Sequence, residues 1–219
     1  LLTNAALADN DQPSFVSHSD SVFAITRVEI IDGTGGPVRE NQTVVVKNGK
    51  ISDLGSSSTL NLPGNIIKID GRGKTLMPGF VMMHEHMFYP TAADDYMEML
   101  RSFPLLYLAG GVTTLRTAGS MNAYAVLNLK ADIQSGLSYG PDIDVSAPFL
   151  NRVGSPSLKI KRLKDTDDAE TQVAYWVGEG VSSFKVYTDV TRDDLARIVE
   201  VAHKYKVKVT AHLCSVSFR

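Results

Sequence analysis

Cysteine is almost missing from this chain. Cys214 is the only one in 219 residues, so no intrachain disulfide staples the fold and the redox compartment leaves no mark on the sequence. No apolar run approaches the roughly 20 residues of a membrane-spanning helix, and no internal repeat is visible. Neither sign of charge dominates: 22 Lys and Arg against 24 Asp and Glu give a formal net charge of −2. That balance carries no electrostatic footprint for nucleic acid or an anionic membrane, and neither is an expected partner. An initiator Met is absent too. Leu1-Leu-Thr-Asn-Ala-Ala-Leu-Ala8 reads either as the tail of a signal peptide, with Ala6-x-Ala8 as a small-residue cleavage site, or as an ordinary chain end. The first reading implies export to a periplasm-like compartment; the second leaves a cytoplasmic location open. What is present, 43% hydrophobic and 21% charged residues, suits a globular chain with a substantial core, as one large domain or two small ones.

Three regions follow from the patterning. Residues 1–20 are expected to be a flexible tail. Residues 21–75 carry β signals: Phe23 to Ile31 is rich in β-branched side chains, and Thr43 to Lys47 and Lys50 to Leu54 flank Asn48-Gly49, a strong hairpin signal. With Ile66 to Ile69, these predict a small antiparallel β-domain. From residue 76 to 219 strands and helices alternate. Strands are expected at Phe80–Met83, Val112–Leu115, Ile143–Ser146, Ser182–Val186 and Val207–Ala211. Helices are expected at Asp94–Ala109, Asn122–Ser135, Asp167–Gly178 (N-cap Thr166) and Arg192–Tyr205, the last opened by a Thr191/Asp194 capping box. Such alternation predicts an α/β fold with a parallel sheet, either an open doubly wound sheet or a (β/α)8 barrel. The long basic loop Leu150 to Asp165 reads as a lid or as a solvated surface loop.

Chemistry-bearing residues gather at the C-terminal ends of the expected strands, where parallel α/β folds place their sites. Pro78-Gly-Phe-Val-Met-Met-His-Glu-His-Met87 runs an apolar strand into His84 and His86. Strand parity puts both imidazoles on one face and Glu85 on the other, which makes half of a transition-metal site. With only five histidines in the chain, the pair still needs other ligands to rise above accident. Lys185 sits inside an apolar strand, sharing a face with Ser183 and Tyr187, and His212 ends a strand beside Thr210. A lysine there either snorkels to water or is buried with a depressed pKa, in which state its neutral amine can capture CO2 as a carbamate that bridges two metal ions.

Met77-Pro-Gly-Phe-Val-x-x-His-x-His86, Gly110-Gly-Val-Thr-Thr-Leu-Arg116, Phe184-Lys-Val-Tyr187 and Thr210-Ala-His212 together resemble the amidohydrolase superfamily of metal-dependent hydrolases, nearest its imidazolonepropionase-like and Xaa-Pro dipeptidase (prolidase)-like members. The resemblance runs from about Val22 to the end. It implies an N-terminal β-sandwich segment followed by an incomplete (β/α)8 TIM barrel, about five of whose strands are present. It also implies two divalent ions, most simply Zn2+, held by His84, His86, His212 and a CO2-derived carbamate on Lys185, with a bridging water activated to hydroxide. The expected substrate is a small amide or dipeptide, and the expected assembly a homo-oligomer.

The chain departs from the family pattern in places. Met82 stands where an Asp is usual, Arg116-Thr117 replaces Arg-Asp, and Asn151-Arg-Val-Gly-Ser-Pro156 lacks the Gly-Gly-His of many relatives. Arg116 and Tyr187 are expected at the substrate, Arg116 as a clamp for a carboxylate. The family's sixth-strand His and eighth-strand Asp, the general base, are expected beyond Arg219, so the chain alone is expected to be inactive. Two alternatives stay open: a mononuclear deaminase or cyclic-amide hydrolase in which His84, His86 and His212 share one ion and Lys185 is structural, and a non-catalytic binding protein that keeps a partial barrel.

Overall fold

A computed structural model describes residues 15–92, 95–154, 158–160 and 162–214. The signal-like segment Leu1–Ala8 lies outside these. The chain divides into two compact units, one ending at Pro78 and the other beginning at Gly79.

The first unit is a five-stranded sheet of β1 (Val22–Ile30), β2 (Arg39–Lys47), β3 (Lys50–Ser56), β4 (Ile67–Asp70) and β5 (Thr75–Leu76). Its order is β3-β2-β1-β4, with β5 also on β1. The Asn48-Gly49 hairpin forms as expected: both residues have positive φ, 50° and 72°, the backbone that a two-residue turn needs to match strand twist. The all-antiparallel expectation is corrected, because β4 and β5 run parallel to β1. Local patterning marks a strand but not its direction, which the crossing segment after β3 decides. One sheet, not a two-layer sandwich, is present among the described residues of this unit, packed on Val28, Ile30 and Val44.

The second unit holds β6 (Phe80–Glu85), β7 (Phe88–Ala92), β8 (Asp95–Glu98), α1 (Ser102–Ala109), β9 (Val112–Thr117), α2 (Ala123–Gln134), β10 (Asp142–Asp144), α3 (Thr166–Gly178), β11 (Ser183–Val186), α4 (Arg192–Lys204) and β12 (Lys208–Ala211). β6, β9 and β10 pair in parallel, as do β11 and β12. Parallel bridges Ser146–Ser183 and Leu150–Val186 join the two groups. Five parallel strands therefore follow in sequence order, and their C-terminal ends share one edge. Leu115, Ile143, Val145, Phe184 and Val186 are buried under Val126, Val173, Ile198 and Val201 of the helices. At Gly79 a Cβ would lie 2.2 Å from Thr113 Oγ1, so only glycine lets β6 enter beside β9.

The expected helix from Asp94 is replaced by the antiparallel hairpin β7–β8 and a helix that begins only at Ser102. Pro104 explains the start. It would break the interior of a longer helix, whereas in the first turn its missing N–H costs nothing. Phe88 is buried in the hairpin against Tyr96, with ring centroids 5.7 Å apart.

The N-cap of α3 is Asp165, whose carboxylate accepts from the Asp168 N–H at 2.7 Å, and not Thr166. Thr166 instead donates to Asp194 Oδ1 at 2.9 Å. The Thr191/Asp194 capping box of α4 is present as read from the sequence. Asp194 is fully buried and also receives Arg152 Nε at 2.8 Å. This pins the described part of the 150–165 loop to α4; Leu150 and Tyr187 tie it to β11 as well, so it is not a free lid. Residues 155–157 and 161 of that loop lie outside the described residues.

Burial raises the Asp194 carboxyl, but Arg152, Thr191 and Thr166 outweigh that effect and hold it well below the usual carboxylate range. A depressed folded pKa contributes stability above the unfolded value of about 4, and that stability is lost as pH falls below it. Asp194→Asn is therefore expected to cost about 2–3 kcal/mol at neutral pH. Thermal unfolding from pH 7 to 3 checks the sign, since the gap between wild type and variant should narrow below pH about 4.

Candidate metal centre

The ends of the parallel strands converge on a cavity of about 360 Å3. His84, His86, Lys185, Tyr187 and His212 all line it. Phe88, Tyr96 and Phe149 form much of the remaining wall.

Strand alternation places these groups. On β6, Glu85 turns away and accepts from the Tyr107 hydroxyl of α1 at 2.8 Å, which leaves His84 and His86 on the cavity side. Burial, then the neighbouring carboxylate, pushes the Tyr107 phenol up, so it stays a donor. On β11, Phe184 and Val186 are fully buried toward the helices while Lys185 faces the cavity.

The His84 and His86 ring centroids are 5.5 Å apart at 83°. Two imidazoles on one tetrahedral ion, with metal–nitrogen bonds near 2 Å, hold their ring centres roughly 5 Å apart. His86 Nδ1 lies 3.3 Å from the Gly119 carbonyl, and a carbonyl can only accept, so Nδ1 carries the proton and Nε2 is left for a ligand. His212 stacks edge-on against Tyr187 with centroids 4.9 Å apart. Among the described residues no three His, Cys, Asp or Glu side chains converge tightly enough to hold a single ion.

Lys185 is 4% exposed. Among the described residues no carboxylate pairs with its ammonium. Burial and then the Arg116 charge push its pKa down. Partial desolvation, with Lys185 as a like charge, does the same to the exposed His84 and the half-buried His212, and burial dominates at His86. All four groups are thus biased toward their uncharged forms, which are the forms that bind metal or capture CO2.

Arg116 is not brought to the cavity. It is 5% exposed, and its guanidinium is spent on Met83, Ser183 and Thr210 inside the unit, so the expected carboxylate clamp has no free fork. Two residues at the site carried no weight in the sequence reading. Gly119 (φ +95°) supplies the His86 partner, and its N–H donates to Ser146 Oγ at 2.7 Å. Phe149 packs between His86 and Tyr187, at 6.1 and 5.1 Å. A glycine just past the C-terminal end of a parallel strand, where such sheets gather their sites, was the available signal for the first.

Residues 75–217 match the model of the Amidohydrolase family. Enamidase from Eubacterium barkeri is 27% identical over 183 residues, covering 80% of this chain and 45% of that protein. N-acyl-D-aspartate deacylase from Alcaligenes xylosoxydans xylosoxydans is 35% identical over 166 residues, covering 68% and 31%. The chain spans less than half the length of these curated relatives. Among solved structures, a Bifidobacterium longum protein assigned as a prolidase superposes with a TM-score of 0.75 at 27% identity, covering 88% of this chain and 49% of that one.

Proposed function

The chain belongs to the amidohydrolase family, and from that premise we propose that the protein hydrolyses the C–N bond of a small amide or dipeptide at a binuclear centre. His84 and His86 would hold one ion, His212 the second, and a carbamate on Lys185 would bridge them. The observation that carries this reading is Lys185: a strand lysine, 4% exposed, with no anion beside it among the described residues and three histidines around the same cavity. A purely structural lysine would be expected to snorkel or pair. That counts against the mononuclear alternative, in which Lys185 is structural.

Divalent ions, most simply Zn2+, would supply Lewis acidity, bringing the pKa of water toward neutrality and polarising the scissile carbonyl. The chain's own residues do the rest. The uncharged Lys185 Nζ forms a bond to the carbon of CO2 and releases a proton to solvent. Gly119 holds the His86 tautomer. Phe88, Tyr96, Phe149 and Tyr187 exclude water along one wall and favour a substrate whose flank there is apolar. We read the five parallel strands as the first five of a (β/α)8 barrel. Phe80, Val81 and Met83 of β6 are 55%, 59% and 57% exposed, an uncovered apolar strand that supports this reading.

Elemental analysis and assay of the full-length protein test the proposal. Two equivalents of metal per chain, a Lys185 adduct of CO2 mass and loss of amide or dipeptide hydrolysis on chelation are expected; full activity without metal would refute it. Because the three histidines are shifted down, protons compete less for them, and metal should be retained below the ordinary imidazole pKa of about 6.5. Metal content after equilibration between pH 5 and 8 checks that direction.

A further inference from the structure

We propose that Arg116 is a positioning residue for the metal centre, a strut that sets the spacing of three ligand-bearing strands; the inference rests on the binuclear reading above. Its Nη1 donates to the Met83 carbonyl at 3.3 Å, its Nε to Ser183 Oγ at 3.2 Å and its Nη2 to Thr210 Oγ1 at 2.9 Å. Met83 immediately precedes His84. Ser183 lies two residues before Lys185, and Thr210 two before His212, in each case on the same strand face. One guanidinium therefore grips β6, β11 and β12 one layer beneath their ligands, from β9, which carries none.

The backbone links these strands only stepwise, through β9, β10 and the isolated bridges Ser146–Ser183 and Leu150–Val186. β6 pairs with β9, and β11 with β12, but no ladder runs from β6 to β11 or β12 among the described residues. The Thr210 hydroxyl extends the tie by donating to the Phe184 carbonyl of β11 at 3.4 Å. Asp144, directly opposite Arg116 across β9 and β10, supplies compensating charge for a side chain 5% exposed. Arginine suits the task because its donors are fixed in one planar fork; a lysine ammonium at the same position would keep the charge but not the three directions. Metal sites need their ligands held to about 0.5 Å, so a change one layer below the ligands reaches the metal.

Three variants of the full-length protein test the strut: Arg116→Met, Arg116→Lys and Thr210→Val. Zn2+ affinity by chelator competition, the visible spectrum of the Co2+-loaded protein and thermal unfolding of the metal-free protein are read together. Arg116→Met is expected to weaken metal binding about 10- to 100-fold, the range for residues that orient ligands, and to alter the Co2+ bands. Arg116→Lys should not rescue either property. A folded Arg116→Met or Arg116→Lys protein with wild-type affinity and spectrum overturns the strut. If Arg116→Met does not fold, Thr210→Val, which removes the hydroxyl that accepts from Arg116 and donates to Phe184 while nearly keeping the side-chain shape, decides: several-fold weaker binding supports the proposal and unchanged binding overturns it. Wild-type protein that takes up no metal overturns the binuclear reading and the strut with it, whereas equal tight binding in wild type and variants overturns the strut alone.

Discussion

In the proposed binuclear centre, Lys185→Ala is expected to lower kcat/KM by about 10³-fold or more, because losing the proposed bridge would remove several kcal/mol of transition-state stabilisation at about 1.4 kcal/mol per decade. Metal content should fall below two per chain. Short carboxylates such as formate or acetate are expected to restore part of both, since the alanine leaves room for a carboxylate where the carbamate would stand. Stability should move the other way. Wild-type Lys185 is buried with no counter-ion among the described residues, and its pKa is shifted down by burial and by Arg116, so the metal-free folded state disfavours its proton. A lysine whose folded pKa lies below its unfolded value makes stability rise with pH as the ordinary lysine range, near 10.4, is approached. Lys185→Met, which keeps the stem volume, should lose that slope and be no less stable than metal-free wild type at neutral pH. Full metal content and activity in Lys185→Ala would instead favour the mononuclear alternative.

The parts of this picture that were legible in the sequence are the local ones. Alternation along β11 separates Phe184 and Val186 from Lys185 with no knowledge of the neighbouring strands. The Thr191/Asp194 box and the Asn48-Gly49 turn are satisfied within a few residues of themselves. Pro104 was a local signal as well, and it argued against the helix expected from Asp94. Non-local choices were not legible. The parallel direction of β4 depends on how the chain crosses after β3. The destination of Arg116 depends on Ser183 and Thr210, 67 and 94 residues away, and parity alone could not separate a fork aimed at the cavity from one spent beneath it. Asp165 displaces Thr166 as a cap because Asp194, 28 residues on from Thr166, takes the threonine hydroxyl.

Gly119→Ala is expected to be the most damaging single-methyl change near the site. Gly119 has φ +95°, and a Cβ there would stand 2.3 Å from Phe149 Cε1 and 2.5 Å from Cζ. The ring cannot give way cheaply, because Phe149 is buried with Phe88, Met121 and Ile160. Left-handed backbone costs a non-glycine residue about 1–2 kcal/mol and overpacking about 1–3 more, so the midpoint of thermal unfolding should fall by roughly 5–15 °C. Gly180→Ala separates the two costs. Gly180 has φ +96° with nothing within 4 Å of the added carbon, so it bears the backbone cost alone. Gly119→Ala should therefore exceed Gly180→Ala by the steric part. Adding Phe149→Ala should recover much of that part, so the double variant is expected to be more stable than the sum of the two single losses predicts. Strict additivity would show that the clash relaxes some other way. Metal binding extends the same test into function: the Gly119 carbonyl orients His86 through Nδ1, so Gly119→Ala should weaken Zn2+ uptake while Gly180→Ala leaves it alone, and equal uptake in both would sever the link between this turn and His86.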